Sequence, residues 1–124
     1  MKRLYTTLIL LCLLPLLAGC ASDDAPSYNI APASEWKDGS YTVTADGYAK
    51  AFPVTVTIKD GHISAIDADS NDETPQYGGA AIEELIPAMT DAQTYDVDSI
   101  SGATITSDAL RDAVARCLEK ASAE

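Results

Sequence analysis

From residue 40 the chain reads SYTVTADGY, and apolar and polar side chains alternate: Tyr41, Val43 and Ala45 against Ser40, Thr42 and Thr44. A period of two predicts a strand with one buried face. Asp46-Gly47 is a turn signal, and Tyr48 can continue the strand beyond a bulge there. The period returns in FPVTVTIK, where Phe52, Val54, Val56 and Ile58 oppose Thr55, Thr57 and Lys59. Asp60-Gly61 then calls for a type I′ hairpin, because both central positions of that turn need positive φ. Residues 63–68, ISAIDA, supply the returning strand. Consecutive antiparallel strands of this kind form a meander.

After residue 72 the period changes. ETPQYGG, residues 73–79, is turn chemistry, and AAIEELIPAM, residues 80–89, has helical spacing with Pro87 placed to kink or end the helix. DAQTYDVDSI reads as a short extended return. The last element is SDALRDAVARCLEKA, in which Leu110, Ala113, Val114, Cys117, Leu118 and Ala121 recur at the spacing of one helical face. Thr106 or Ser107 is its expected N-cap, with Asp108 in the first turn. Strands first and helices afterwards predict an α+β domain: an antiparallel β-meander packed with a short helix and a C-terminal amphipathic helix.

The N-terminus adds a location. Lys2 and Arg3 precede an apolar run, residues 8–17, of signal-peptide length and too short to span a membrane comfortably. The run closes in LAGC, residues 17–20, which resembles the lipobox of bacterial lipoproteins. That resemblance implies cleavage between Gly19 and Cys20 and a diacylglyceryl thioether on Cys20. Residues 1–19 are then a leader, 20–37 a lipidated tether rich in small residues and proline, and 38–124 the functional domain. The protein is expected on the extracytoplasmic face of a membrane.

Charge and cysteine content narrow the chemistry. The formal net charge of -11 becomes -13 once the leader removes two positive side chains. Such a surface repels nucleic acid and anionic head groups, so neither is an expected ligand. With Cys12 in the leader and Cys20 lipidated, Cys117 is the one cysteine left, and its place in the apolar stripe marks it as a packed thiol. His62 is the sole histidine, so no zinc or iron–sulfur site is expected.

The chemistry concentrates in DSISGATITS, residues 98–107, which is rich in hydroxyls and stands just before the C-terminal helix. Helix N-termini present unpaired amides and the positive end of the macrodipole, a natural anion site. Gly102 and Ala103 leave room for a phosphate to approach the backbone. A nucleophilic enzyme would need a general base beside the hydroxyl, and the segment has none. Physics alone leaves two readings open: a hydroxyl that receives a phosphorylated group, or a plain hydroxyl-rich capping loop.

The run Asp98, Ser99, Ile100, Ser101, Gly102, Ala103, Thr104 resembles the flavinylation motif of the FMN-binding domain family, whose members include flavin-carrying subunits of the sodium-pumping NADH:quinone oxidoreductase and related electron transport complexes. The resemblance implies FMN joined through its phosphate to Thr104, installed by a flavin transferase that uses FAD and Mg²⁺. Asp98, Ser101, Gly102 and Ala103 belong to the motif. Thr106 and Ser107 would lie beside the cofactor, with Thr106 a rival acceptor two residues beyond the family's position. ETPQYGG is similar to the family's Glu-Thr-Pro-Gly-x-Gly turn near the flavin, which adds Glu73 and Thr74. Gln76 stands where the family usually has glycine, a costly exchange if that position needs positive φ. The segment from Gly79 to Asp98 is shorter than in the pump subunits, implying a thinner cover over the flavin ring.

The expected function is therefore that of an electron carrier, with no catalytic side chain of its own and the redox chemistry left to the flavin. Its partners would be the transferase, a quinone- or NADH-linked membrane donor and an extracytoplasmic acceptor. The alternatives are an FMN-carrying partner of an extracytoplasmic reductase, or a scaffold lipoprotein that keeps the fold without the flavin.

Overall fold

The alternating segments form one sheet. In the computed structural model, which describes residues 27–69 and 75–123, β1 (Gly39–Asp46), β2 (Ala51–Lys59) and β3 (His62–Ala68) pair antiparallel in the order β1-β2-β3. Residues 1–19, read from the sequence as a leader, and Cys20, Glu73 and Thr74 fall outside the described residues. One sheet face carries Val43, Ala45, Phe52, Val54, Val56 and Ile58, all buried. The other carries hydroxyls that meet across the strands, Thr42 with Thr55 at 2.9 Å and Ser40 with Thr57 at 3.3 Å.

The β2–β3 turn is the expected one: Asp60 and Gly61 have φ of 54° and 75°. In β3 strict alternation would bury Ile63 and Ala65. Ile63 and Ile66 are buried instead, because a register shift opposite Thr57 and Ile58 admits one extra residue, Ser64, between the Ala65 and Ile63 pairings. The β1–β2 connection corrects the sequence reading. β1 stops at Asp46, and Tyr48 lies in the loop rather than in a continued strand.

Two helices cover the apolar face, α1 (Ala80–Ala92) against β3 and α2 (Thr104–Ser122) across β1 and β2. The α2 stripe is buried as its spacing requires, Leu110 through Ala121. Cys117 is fully buried within it, its thiol directed at the Tyr41 carbonyl at 3.2 Å, and burial pushes its pKa up. On the flank of α2, Arg116 and Lys120 donate to the Thr44 and Thr42 carbonyls of the edge strand β1, which blunts that edge against further pairing.

Four local readings differ from the sequence expectation. Residues 75–79 are not a free turn but a π-helical turn, Pro75–Gly79, that runs straight into α1. Neither Gln76 nor the glycines beside it has positive φ, so the Gln76 exchange carries no backbone strain here. Pro87 does not end α1, which continues to Ala92; Pro87 and Glu83, whose carbonyl loses its helical partner, both lie on the exposed side. The extended return after residue 90 does not form. Asp91 and Ala92 stay helical, Gln93 turns left-handed (φ 56°), and the chain runs on irregularly to Ile100. The Gln93 side chain substitutes for a strand: its amide accepts from the Ile63 N–H at 2.8 Å and donates to the Ile63 carbonyl at 3.0 Å, pinning the end of α1 to β3.

The fourth difference is the start of α2. It begins at Thr104, not after Thr106 or Ser107, with Ala103 as the N-cap residue and no side-chain cap. Ser107 lies in the first turn and braces it from inside. Its hydroxyl donates to the Ala103 carbonyl at 2.7 Å and accepts from the Ile100 N–H at 3.0 Å, tying the incoming loop to the helix. Asp108, expected in the first turn, lies past it and bonds Ser99 and Arg111.

The segment before the sheet was expected to be a tether through residue 37. From Tyr28 to Lys37 it is laid against the fold. Tyr28 donates to the Asp112 carboxylate, and the backbone amides of Asn29 and Ala31 donate to Glu119 and Ser122. Burial and the Asp112 carboxylate together push the Tyr28 phenol well above its ordinary range. Trp36, 5% exposed, fills the core and donates its indole N–H to the Ala31 carbonyl. At the turn, the Ser34 amide donates to the Gly61 carbonyl at 2.8 Å. Asp38 accepts from the Gly61 N–H, and that bond and a second backbone bond from Asp60 hold its carboxyl below the usual range.

Two stability predictions follow from these contacts. A methyl on Gly61 would stand 2.7 Å from the Ser34 carbonyl oxygen, whereas one on Gly102, also at positive φ, would meet only the Tyr77 ring edge at 3.9 Å. Left-handed strain of about 1–2 kcal/mol is common to both, so Gly61→Ala should lower the thermal midpoint clearly more than Gly102→Ala. Equal midpoints would refute the docking of residues 28–37 at this turn. Ser107→Ala should cost about 1–3 kcal/mol by orphaning the Ile100 amide, read in denaturant unfolding.

Candidate functional site

The site is built on the loop that leads into α2. Arg111, about two turns into the helix, reaches back to Asp96 at 3.2 Å and to Asp108 at 3.3 Å, and Ser99 donates to Asp108 at 2.8 Å. These exposed ion pairs are individually weak; together with the Ser107 bonds they fix where the loop ends. At Gly102 φ is +87°, a conformation that strains any residue with a Cβ, and the chain turns there into the helix. The Ala103 amide closes the turn on the Ile100 carbonyl at 3.0 Å.

Helical phase then sorts the hydroxyls. Thr106 is 1% exposed and Ser107 is fully buried, because both extend the stripe that faces the core. Thr104 precedes them on the outward side and is exposed. The amides of Thr104 and Ile105 stand at the first two helical positions, where no carbonyl of the helix can receive them.

Thr104 opens onto a cleft of about 590 Å³ lined by Tyr48, Tyr77, Gly78, Gly102, Ala103, Thr104, Ile105 and Thr106. This volume is within the range of about 300–1,000 Å³ typical of small-molecule sites. Of the residues named from the sequence, Gly102, Ala103, Thr104 and Thr106 meet here. Asp98, Ser101 and Ser107 do not line the cleft: Asp98 and Ser101 are exposed on the approaching loop and Ser107 braces it from beneath. Glu73 and Thr74 lie outside the described residues.

Four lining residues were missed, Gly78 and three large side chains. Tyr48 is 71% exposed, Tyr77 61% and Ile105 56%, and they are the large hydrophobic side chains left exposed among the described residues. All of them converge on this cleft. Each of the three carried a signal. Tyr48 is an aromatic placed directly after the Asp46-Gly47 turn signal, Tyr77 is the aromatic inside ETPQYGG, and Ile105 is the apolar residue that falls off the α2 stripe. The arrangement can accept an anion at the first turn of α2 and a flat apolar group against the tyrosines. Among the described residues no group of His, Cys, Asp and Glu side chains is placed to hold a metal, and no helix is long and apolar enough to cross a membrane.

Comparison with known proteins bears on the same segment. The model of the FMN-binding domain matches residues 47–119, from the loop of Tyr48 to the last turn of α2. An uncharacterised protein of Treponema pallidum is 36% identical over 87 residues, 70% of this chain and 24% of its own length. An NADH:acrylate oxidoreductase of Vibrio harveyi is 34% identical over 87 residues, 70% of this chain but 9% of the enzyme. The chain thus spans a quarter or less of these relatives. The crystal structure of the CPE2226 protein from Clostridium perfringens shares the fold, with a TM-score of 0.55 over 69% of this chain and 88% of that one at 24% identity. With more than half of its length matched to the family model, this chain belongs to the FMN-binding domain family.

Proposed function

We propose that the chain is a membrane-anchored, extracytoplasmic flavoprotein that carries electrons through one FMN joined by its phosphate to Thr104. The observation that carries this reading is the sorting of hydroxyls at the start of α2: Thr104 is exposed at a cleft, while Thr106 and Ser107 are buried at 1% and 0%. A transferase can reach the first and not the others without unwinding the helix.

The residues present fit both halves of the cofactor. The first-turn amides and the macrodipole favour the phosphate diester beside Thr104. Gly102 and Ala103 keep side-chain bulk away from it, and the apolar lining suits the ring system. The bound flavin would supply the redox chemistry; the protein holds it, orients it and leaves it accessible. Arg111 and Ser107 act at one remove, holding the loop that presents Thr104. The lipid anchor rests on LAGC and Cys20, and an exported carrier gains from a bond that prevents loss of its cofactor.

A second reading, an FMN-carrying partner of a reductase, is favoured by the kinship with a segment of the NADH:acrylate oxidoreductase. Under it the chain would co-purify with a reductase and hand electrons to that protein's acceptor.

Two experiments test the main reading. The chain is produced with a flavin transferase, FAD and Mg²⁺, and covalent flavin is read by in-gel fluorescence and intact mass. Wild type should gain the mass of one FMN less one water, with AMP leaving from FAD, Thr104→Ala should gain none while remaining folded, Thr104→Ser should be labelled less, and Thr106→Ala should be labelled like wild type. Label persisting on Thr104→Ala would overturn the acceptor assignment. Separately, Cys20→Ser should move the protein from the membrane to the soluble fraction; unchanged membrane association would remove the lipid anchor.

A further inference from the structure

We infer that Tyr48 and Tyr77 are the aromatic contacts of the isoalloxazine ring, holding it in the cleft beside Thr104 from two separate elements. The inference rests on the attachment of FMN at Thr104 and adds the residues that set the ring's position. Neither tyrosine belongs to the segment that carries the phosphate: Tyr48 stands in the β1–β2 loop, Tyr77 on the π-helical turn before α1.

Their exposure is the first argument. A tyrosine 71% exposed and another 61% exposed leave apolar ring surface in water, and both do so at one cleft rather than scattered over the surface. Clustered exposed hydrophobics mark a binding surface, whereas single ones need no explanation. The remaining tyrosines near the core are engaged elsewhere. Tyr28 and Tyr95 meet edge to face at 5.2 Å, and Tyr41 donates to the Lys37 carbonyl.

Reach is the second. The Tyr77 ring edge lies 3.9 Å from the position a Cβ on Gly102 would take, so the ring stands against the turn that delivers Thr104. A group linked through the Thr104 oxygen enters the same cleft that this ring lines. The third is chemistry. Aromatic pairs favour offset or edge-to-face contact at centroid separations of about 4.5–7 Å, and the flavin ring is a wide, flat, electron-poor partner for a phenol. Ile105 supplies aliphatic surface on the helix side of the same cleft. The occupant of this patch is therefore the chain's own cofactor in preference to a protein partner.

Fluorescence distinguishes stacking from a merely structural role. An excited flavin in contact with a phenol takes one electron from it and gets the ground state back when the electron returns, so its emission is quenched. Phenylalanine keeps the ring's shape but is too hard to oxidise to do this. Wild type, Tyr48→Phe, Tyr77→Phe and the double variant are produced with the transferase, FAD and Mg²⁺. Their covalent flavin is quantified after denaturation, and quantum yield and lifetime are measured on the native protein. Each single variant should be brighter than wild type at equal loading, and the double variant severalfold brighter. Tyr95→Phe, away from the cleft, should not change the yield. Equal native yields in wild type and the fully loaded double variant would overturn the tyrosine contacts and leave the Thr104 attachment standing. A wild-type chain that takes no covalent flavin would instead overturn the attachment and this inference together.

Discussion

The rotation of one helix about its axis decides what this domain can present. Helix α2 must bury Leu110, Ala113, Val114, Cys117, Leu118 and Ala121 against the sheet, and at about 100° per residue that requirement fixes the direction of every other side chain on it. Carried back to the first turn, the same phase turns Thr106 and Ser107 inward and leaves Thr104 and Ile105 outward. The accessible hydroxyl is thus selected by packing at the far end of the helix, where no residue touches the site. The first-turn amides are set in place by the same constraint. Gly102 and the Ser107 bonds answer a narrower question, how the chain enters a helix whose phase is already determined.

The rest of the fold holds that helix still from three sides. The sheet lies beneath it, Arg116 and Lys120 tie its flank to the carbonyls of β1, and the segment around Tyr28 and Ala31 bonds to Asp112, Glu119 and Ser122. This last contact matters for a chain of this size. A small domain buries a modest fraction of its surface, and Trp36 adds the largest side chain in the molecule to the core from outside the sheet. Its route is closed by the tight approach of Ser34 to Gly61, so the hairpin turn and the N-terminal segment depend on each other.

Elements governed by a local period were legible in the sequence. Alternation gave β1 and β2, Asp60-Gly61 gave the type I′ turn, and the stripe of α2 gave its buried face. What escaped depends on contacts that no local pattern encodes. The bulge at Ser64 appears only when β3 is paired with β2. The helical path of residues 91 and 92 is held by Gln93, whose partner Ile63 is thirty residues away. Thr106 and Ser107 looked like caps because hydroxyls commonly end helices, and nothing local showed that the helix would run through them. Within the site, the motif Asp98 to Thr104 was readable as a resemblance. Tyr48 and Tyr77 were not, because their meaning comes from two segments, distant in sequence, that line one cleft.

The openness of the cleft ties attachment to function. Drug-sized ligands that bind by equilibrium are commonly buried over about 70–90% of their surface, but here the principal apolar walls remain more than half exposed themselves. Walls of that kind can orient a flat ring without retaining it against dilution. In the proposed reading a phosphoester to Thr104 makes retention independent of the walls, and the walls are then free to stay open. Openness is what an electron carrier requires, since a partner must bring its own redox centre close to the ring edge. A deeply buried flavin would be held well and reached poorly. On that reading the division of labour is physical: the helix phase and the Gly102 turn would supply a fixed attachment point, and the tyrosines would give the ring a direction.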